Sequence, residues 1–278
     1  MTAQQLLRAA NATAPLLVAC DIDGTLVRTG SPATQAVREA VSAVRCAGHH
    51  VVLSTGRSLA GALPVARELG LDDAWLVASN GATTAHLSGG SYAVVECLPV
   101  HAESAVRVAA RLQPDVRIAA EAVGVGYRVS GAFPRGELNG RQEGVARLAD
   151  LWASPTPRLA ILGPDAARLV PALSALGLTA LLTRPDWVDV TPPNVSKATA
   201  LEKVRERLGV EDYRTVAIGD GENDIEMLVW AGEGYAMGHA PAPVLAVADV
   251  VTGTIDEDGA ATALRGLLVS SAQAGLTA

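Results

Sequence analysis

The sequence predicts an α/β fold, a parallel sheet covered by helices and interrupted by an α+β insertion, and three features carry that prediction. Short apolar runs end in acidic, hydroxyl or amide residues, amphipathic stretches separate those runs, and the alternation lapses in mid-chain before it resumes. Leu16-Leu17-Val18-Ala19-Cys20 is continuously apolar, as a strand buried on both faces must be, and it ends at Asp21. Ser31-Pro32 signals a helix start. Val37, Ala40, Val41 and Val44 then share one helical face, and Gly48 stops the helix before the strand Val51-Val52-Leu53. A second unit follows, with Leu59, Ala62, Ala66 and Leu69 facing inward, a stop at Gly70, and Trp75-Leu76-Val77-Ala78 leading into Asn80-Gly81.

The middle of the chain reads differently. Strand candidates lie at 92–97, 116–121 and 125–129, a helical stretch at 102–112, and a polar, Gly-rich span from Gly131 to Gly144. Further strands at 158–162, 178–183 and 187–191 flank a helical run at 165–176, and the chain is expected to return to its first domain near Asp189. The expected division is therefore a core of 1–84 plus 189–278 and an inserted α+β domain of 85–188. Ser196 opens a helix with Ala198, Leu201, Val204 and Leu208 inward, Gly209 stops it, and Thr215-Val216-Ala217-Ile218 is one more buried strand. The small-residue tails at both ends are expected to be mobile.

Of 278 residues 49% are hydrophobic and 18% charged, enough apolar surface for a sizeable core. A net charge of -7 argues against a basic face for nucleic acid or a membrane surface, and leaves room for a local basic pocket. Cys20, Cys46 and Cys97 form an odd set without a C-x-x-C pair, which argues against a zinc site or a disulfide framework and fits a reducing cytoplasm. The apolar stretch before Asp21 is too short to span a membrane and lacks the pattern of a secretion leader, so neither secretion nor anchoring is expected.

Open parallel sheets bind ligands beyond the carboxyl ends of their strands, and four such ends carry polar groups here: Asp21, Thr55, Asn80 and Asp220. Asp21-Ile22-Asp23-Gly24-Thr25-Leu26 sets two carboxylates two residues apart, a pattern that an acidic turn would also produce. Gly219-Asp220-Gly221-Glu222-Asn223-Asp224 is a second acid-rich strand exit. Helix capping explains one aspartate, but carboxylates about 5 Å apart repel by roughly 3 kcal/mol per pair at an effective dielectric near 20. A cation would remove that conflict, and all-oxygen ligands with few carboxylates suit magnesium. Ser54-Thr55-Gly56-Arg57 and Ser196-Lys197 offer a hydroxyl, backbone amides and positive charge for phosphoryl oxygens. Taken singly, Thr55 reads equally as a helix cap, Lys197 as a solvated lysine, and Asn80-Gly81 as a tight turn.

The ordered set D-x-D-G-T, T-G-R, S-N-G, S-K and G-D-G-E-N-D resembles the haloacid dehalogenase superfamily, specifically its Cof-like phosphatases with a large cap inserted in a Rossmann-like core. The resemblance implies that Asp21 is the nucleophile and Asp23 the general acid and base. It implies magnesium held by Asp21, the backbone carbonyl of Asp23, and Asp220, with Asn223 and Asp224 in support. Thr55, Gly56, Arg57, Asn80 and Lys197 match substrate- and phosphate-binding positions, with Ser54 replacing Thr55 if the strand ends one residue earlier. Two departures stand out: Gly238-His239-Ala240 where relatives commonly have Gly-Asn-Ala, and Ala198 where many have glycine. His239 is either a contact near the mouth or an ordinary loop histidine. The implied substrates are small phosphorylated metabolites, sugar phosphates foremost. Arg135 and Arg141 in the Phe133–Arg141 stretch are either contacts for a second substrate group or part of a surface hairpin. The alternatives are a phosphomutase of the same superfamily and a phosphate-responsive regulatory protein, the latter opposed by the D-x-D on the first strand and by the insertion.

Overall fold

The computed structural model describes residues 14–275, so the N-terminal tail to residue 13 and the last three residues lie outside the described residues. An eight-stranded sheet and a six-stranded sheet organise the chain. The first begins with β1 (Leu17–Cys20), β2 (His50–Ser54) and β3 (Asp73–Ala78). β1 lies at its centre, parallel to β2 on one side and to the strand Thr215–Gly219 on the other. All four residues of β1 are buried, because helices cover both faces. The helix Gln35–Cys46 follows β1, and Thr34 caps it by accepting from the Val37 amide at 3.2 Å, three residues beyond the expected Ser31 start. Its buried face is Val37, Ala40, Val41 and Val44, the apolar stripe of the sequence.

The first sheet does not end where the alternation lapses. β4 (Thr83–Ser88) and β5 (Ser91–Cys97) continue it antiparallel, joined at Gly89-Gly90, whose φ values of 57° and 83° form the tight two-residue turn that favours glycine. The expected boundary at residue 85 thus falls inside a strand. The first sheet extends to Cys97 because the Gly-Gly hairpin folds this edge back before the chain crosses over.

The second sheet comprises β6 (Arg117–Ala122), β7 (Gly126–Val129), β8 (Arg141–Gly144), β9 (Leu159–Leu162), β10 (Thr179–Arg184) and β11 (Trp187–Thr191) in the order β10-β11-β9-β6-β7-β8. The helix Ala102–Leu112 packs Ala105, Val106 and Ala109 on one face. Tyr127, Phe133, Leu138 and Trp187 cluster on the other. Asp189 sits inside β11, paired with β9 and β10, so the return to the first sheet comes after Thr191 rather than at Asp189. The helical run expected at 165–176 is one tight turn at Ala166–Leu169 followed by a short helix, Val170–Ser174. Among the described residues no helix is long and apolar enough to cross a membrane.

The helix Lys197–Leu208 re-enters the first layer, with the Ser196 hydroxyl accepting from the Thr199 amide and Gly209 closing it at φ 64°. Its start is pressed against the turn after β3. Gly81 has φ 98°, and a Cβ there would lie 2.1 Å from the Ser196 carbonyl oxygen. Gly81→Ala is therefore expected to cost about 2 kcal/mol or more, by backbone strain and by forcing the two segments apart. Urea denaturation checks this; an unchanged midpoint and slope would contradict the close approach.

Candidate active site

β1 ends at Cys20, and Asp21 is the next residue, its amide donating to the Ile218 carbonyl at 2.9 Å. The central position of β1 therefore delivers Asp21 beside the end of Thr215–Gly219, the strand that leads to Asp220. Across from it, Lys197 rises from the first turn of its helix. Its buried ammonium donates to Asp21 Oδ1 at 2.6 Å and to Asp224 Oδ1 at 2.5 Å. The other Asp224 oxygen accepts the amides of Asp220 at 3.0 Å and Gly221 at 2.9 Å. Asp224 is thus fully engaged, and it fixes both the lysine and the loop bearing Asp220. Asp220 Oδ1 accepts from the Thr25 hydroxyl at 2.8 Å.

One oxygen from each of Asp21, Asp220 and Asp224 lies within 4.8 Å of the others. Burial pushes the Asp21 carboxyl well above its ordinary pKa; Lys197 pulls it back, while Asp224 and Asp220 oppose ionisation. Burial raises Asp220 as well, against the Thr25 hydrogen bond. Lys197 is lowered by burial but raised further by its two carboxylate partners, so it stays charged. Three carboxylates against one ammonium leave the cluster negative when ionised. An all-oxygen donor set of this kind fits a hard divalent cation. Gly24 keeps the approach open: at φ 82°, a Cβ there would lie 2.2 Å from Asp220 Oδ2.

Asp23 faces another way. Its two oxygens accept from Arg57 Nε and Nη2, each at 2.6 Å, so its carboxylate does not join the three-aspartate cluster. That hydrogen bonding raises the Arg57 pKa, so Arg57 stays charged beside Asp23. β2 ends at Ser54, which puts Thr55 first beyond the strand, and both hydroxyl-bearing side chains are buried. Thr55 Oγ1 accepts from the Arg57 amide at 3.1 Å, so it braces its own turn. Asn80 has φ 54°, and its Oδ1 accepts from Asn223 Nδ2 at 3.0 Å. Both amides crowd Gly56, where a Cβ would lie 3.1 Å from Asn80 Oδ1 and 3.5 Å from Asn223 Nδ2.

His239 stands at the rim, Nε2 3.7 Å from Asp220 Oδ2, while its Nδ1 accepts from the Ile255 amide at 3.3 Å. In the Phe133–Arg141 stretch, Phe133 and Leu138 pack into the second sheet while Arg135 and Arg141 are exposed, Arg141 opening its edge strand. A cavity of about 130 Å³ opens between the layers, lined by Asn80, Lys197 and Asn223 on one side and Thr179, Asp189 and Thr191 on the other.

Residues 18–121 and 171–264 match the family model of haloacid dehalogenase-like hydrolases. The chain belongs to that family. A phosphoglycolate phosphatase from Natronomonas pharaonis is 31% identical over 254 residues, covering 90% of this chain and 96% of that protein. The 5-amino-6-(5-phospho-D-ribitylamino)uracil phosphatase YcsE of Bacillus subtilis is 29% identical over 250 residues, covering 90% and 94%. The crystal structure of a haloacid dehalogenase-like hydrolase from Bacteroides thetaiotaomicron superposes with a TM-score of 0.78 at 26% identity, covering 91% of this chain and all of that one.

Two groups in this hydrolase were not singled out from its sequence. Thr25, inside D-x-D-G-T, orients Asp220. Glu121, buried in the apolar strand β6, reaches the first layer; a lone acid set among alanines in a buried strand was the available signal.

Lys197→Met tests the buried pair in metal-free protein. It leaves Asp21 and Asp224 without a counter-charge, a change worth about 3–5 kcal/mol. A carboxyl whose folded pKa lies above its unfolded value binds more protons folded than unfolded. Its contribution to stability therefore falls as pH rises through that interval. Losing Lys197 widens the interval for Asp21. The deficit against wild type is accordingly expected to be smaller at pH 5 than at pH 8, measured by chemical denaturation. An equal deficit at both values would argue that Asp21 is not the group destabilised.

Proposed function

We propose that this hydrolase is a magnesium-dependent phosphatase that acts on small phosphorylated metabolites, sugar phosphates or similar monoesters, through an aspartyl-phosphate on Asp21. The observation that carries the reading is the meeting of Asp21, Lys197, Asp220 and Asp224, from three separate strand and helix ends, in one cluster that is buried except at Asp220. The two phosphatases matched over nine-tenths of the chain support the reaction class, and their differing substrates favour no single metabolite.

In this reading an Asp21 oxygen attacks phosphorus, the bond to the leaving oxygen breaks, and Asp23 protonates the departing alkoxide. Asp23 then takes a proton from the water that attacks phosphorus. The bond to Asp21 breaks, and orthophosphate leaves. Lys197 holds Asp21 in place and offsets charge on the phosphoryl oxygens, while Thr55, Gly56 and Asn80 line the site. Both Asp23 oxygens accept from Arg57, so acid work begins with that pair parting and Asp23 taking a proton from solvent, which the attacking water later restores. Asp21, Asp220 and the backbone carbonyl of Asp23 would hold magnesium, with Asp224 and Asn223 fixing the loop around it. When bound, the ion supplies positive charge to the phosphoryl oxygens. Uncatalysed phosphate-monoester hydrolysis is slow enough to need accelerations up to about 10²¹, which favours a site that combines covalent attack, proton transfer and charge neutralisation.

Asp21→Asn is expected to abolish hydrolysis of aryl and alkyl phosphates while the circular dichroism of the fold persists; residual activity above a few per cent in a clean preparation would remove Asp21 as nucleophile. Magnesium is expected to raise the melting temperature as its concentration passes the dissociation constant, and chelation to abolish activity. Asp220→Asn is expected to weaken both responses together. Full activity after chelation, or an unchanged magnesium dependence in that variant, would count against the cation site.

A further inference from the structure

The phosphate-gripping turns of the first layer are not self-supporting. Ser79 and Asn80 are consecutive non-glycine residues at φ 52° and 54°, a conformation that persists only where outside contacts hold it. The Ser79 amide donates to the Arg57 carbonyl at 2.7 Å and the Asn80 amide to the Thr55 carbonyl at 3.1 Å, so the two turns move as one. Within the first layer Asp23 engages Arg57 and Asn223 engages Asn80, and the remaining contacts come from the second sheet. Glu121 on β6 is wholly buried, and its Oε2 accepts from the Ser79 hydroxyl at 2.6 Å. Its Oε1 faces the Leu59 amide at 3.4 Å. Arg158, just before β9, donates to the Gly56 carbonyl. Arg158 is held from behind by Asp189 at 3.4 Å and by the Tyr127 ring at 5.8 Å, and Asp189 is itself fixed by Trp187 Nε1 at 3.0 Å.

We propose that Glu121 and Arg158 are positioning residues, through which the inserted sheet holds the Thr55–Ser58 and Ser79–Asn80 turns in their phosphate-binding shape. The proposal rests on the phosphatase reading of the same site and deepens it. Both Glu121 oxygens face first-layer donors, which leaves them no part in recognising a leaving group. Seating the insertion therefore completes the phosphate site itself, and the effect does not depend on what the phosphate is attached to. Buried charge is costly unless paired, and Glu121 and Arg158 both find partners on the first layer only where the insertion is seated.

Orthophosphate separates the possibilities, because it carries no leaving group. Its affinity is measured by calorimetry on the full chain with magnesium present, for wild type, Glu121→Gln, Ser79→Ala and the double variant. Each single variant is expected to bind orthophosphate about tenfold more weakly, equivalent to about 1.4 kcal/mol, with the double variant no worse than either single. Turnover is expected to fall by a common factor across aryl, alkyl and sugar phosphates. Ser79→Ala leaves the inserted sheet untouched, so it carries the test if Glu121→Gln fails to fold. Lowered melting temperature with unchanged orthophosphate affinity would overturn the proposal by reducing the contacts to scaffolding. Losses that vary with the leaving group would overturn it by making Glu121 a specificity residue. Wild type that binds orthophosphate but hydrolyses no ester would sink the phosphatase reading alone, whereas additive losses in the double variant would sink the positioning proposal alone.

Discussion

The Lys197 ammonium, buried between Asp21 and Asp224, is the contact on which the first layer converges. Two carboxylates drawn out of water beside one another repel, and neither could stay ionised there alone. One buried cation joins them, and its geometry constrains three chain segments at once. Asp21 must end the central strand, Asp224 must turn back onto the amides of Asp220 and Gly221, and the helix of Lys197 must begin where Gly81 lets it approach β3. The parallel register of β1 between its neighbours supplies the first condition, since the strand ends align only when the strands themselves do.

Charge balance within this cluster explains why an acid-rich loop divides its labour. Asp224 has both oxygens occupied, by the lysine and by two backbone amides, so it behaves as a bracket. Asp220 keeps one oxygen toward Thr25 and turns the other toward the open side, where His239 stands 3.7 Å away. The charge that Lys197 leaves unbalanced therefore falls on Asp21 and Asp220, the two carboxyls whose pKa values burial raises. A site with excess negative charge, little solvent and oxygen donors alone is chemically prepared for a hard cation.

The parallel core was legible because its strands are buried on both faces and its helices carry narrow apolar stripes, patterns that need no tertiary knowledge to read. Asp21, Asn80 and Asp220 drew attention for a related reason, since strand ends in such sheets point to one crevice, whereas Lys197 opens a helix and was assigned to the site only through the family resemblance. The pairing of Asp23 with Arg57 could not be read, since it depends on how two loops approach in space. β5 was read as a strand at 92–97 but given to the insertion, and β4 was not read, because nothing in either short run says which sheet its edge joins. The junction of Glu121, Arg158 and Asp189 was hidden further still. Each lies singly in a different strand or strand entry of the insertion, and only the second sheet's order, with β9 flanked by β6 and β11, brings the three together.

Asp21 and Asp23 are two residues apart in one loop and live in opposite surroundings. Asp21 is buried against an ammonium that is itself buried, and Asp23 is partly exposed against the Arg57 guanidinium. In the proposed reaction, the carboxylate that attacks phosphorus benefits from fixed geometry and from a counter-ion that persists. The carboxylate that gains and loses a proton benefits from solvent access. Pairs of like groups commonly acquire unlike roles in this way, through environment rather than through chemical type. Here the difference is built into the backbone: Asp21 continues directly from a strand hydrogen-bonded on both sides, while Asp23 lies beyond Ile22 in a loop closed by the Gly24 amide on the Val27 carbonyl. The strand holds the first aspartate still, and the loop carries the second toward solvent and Arg57.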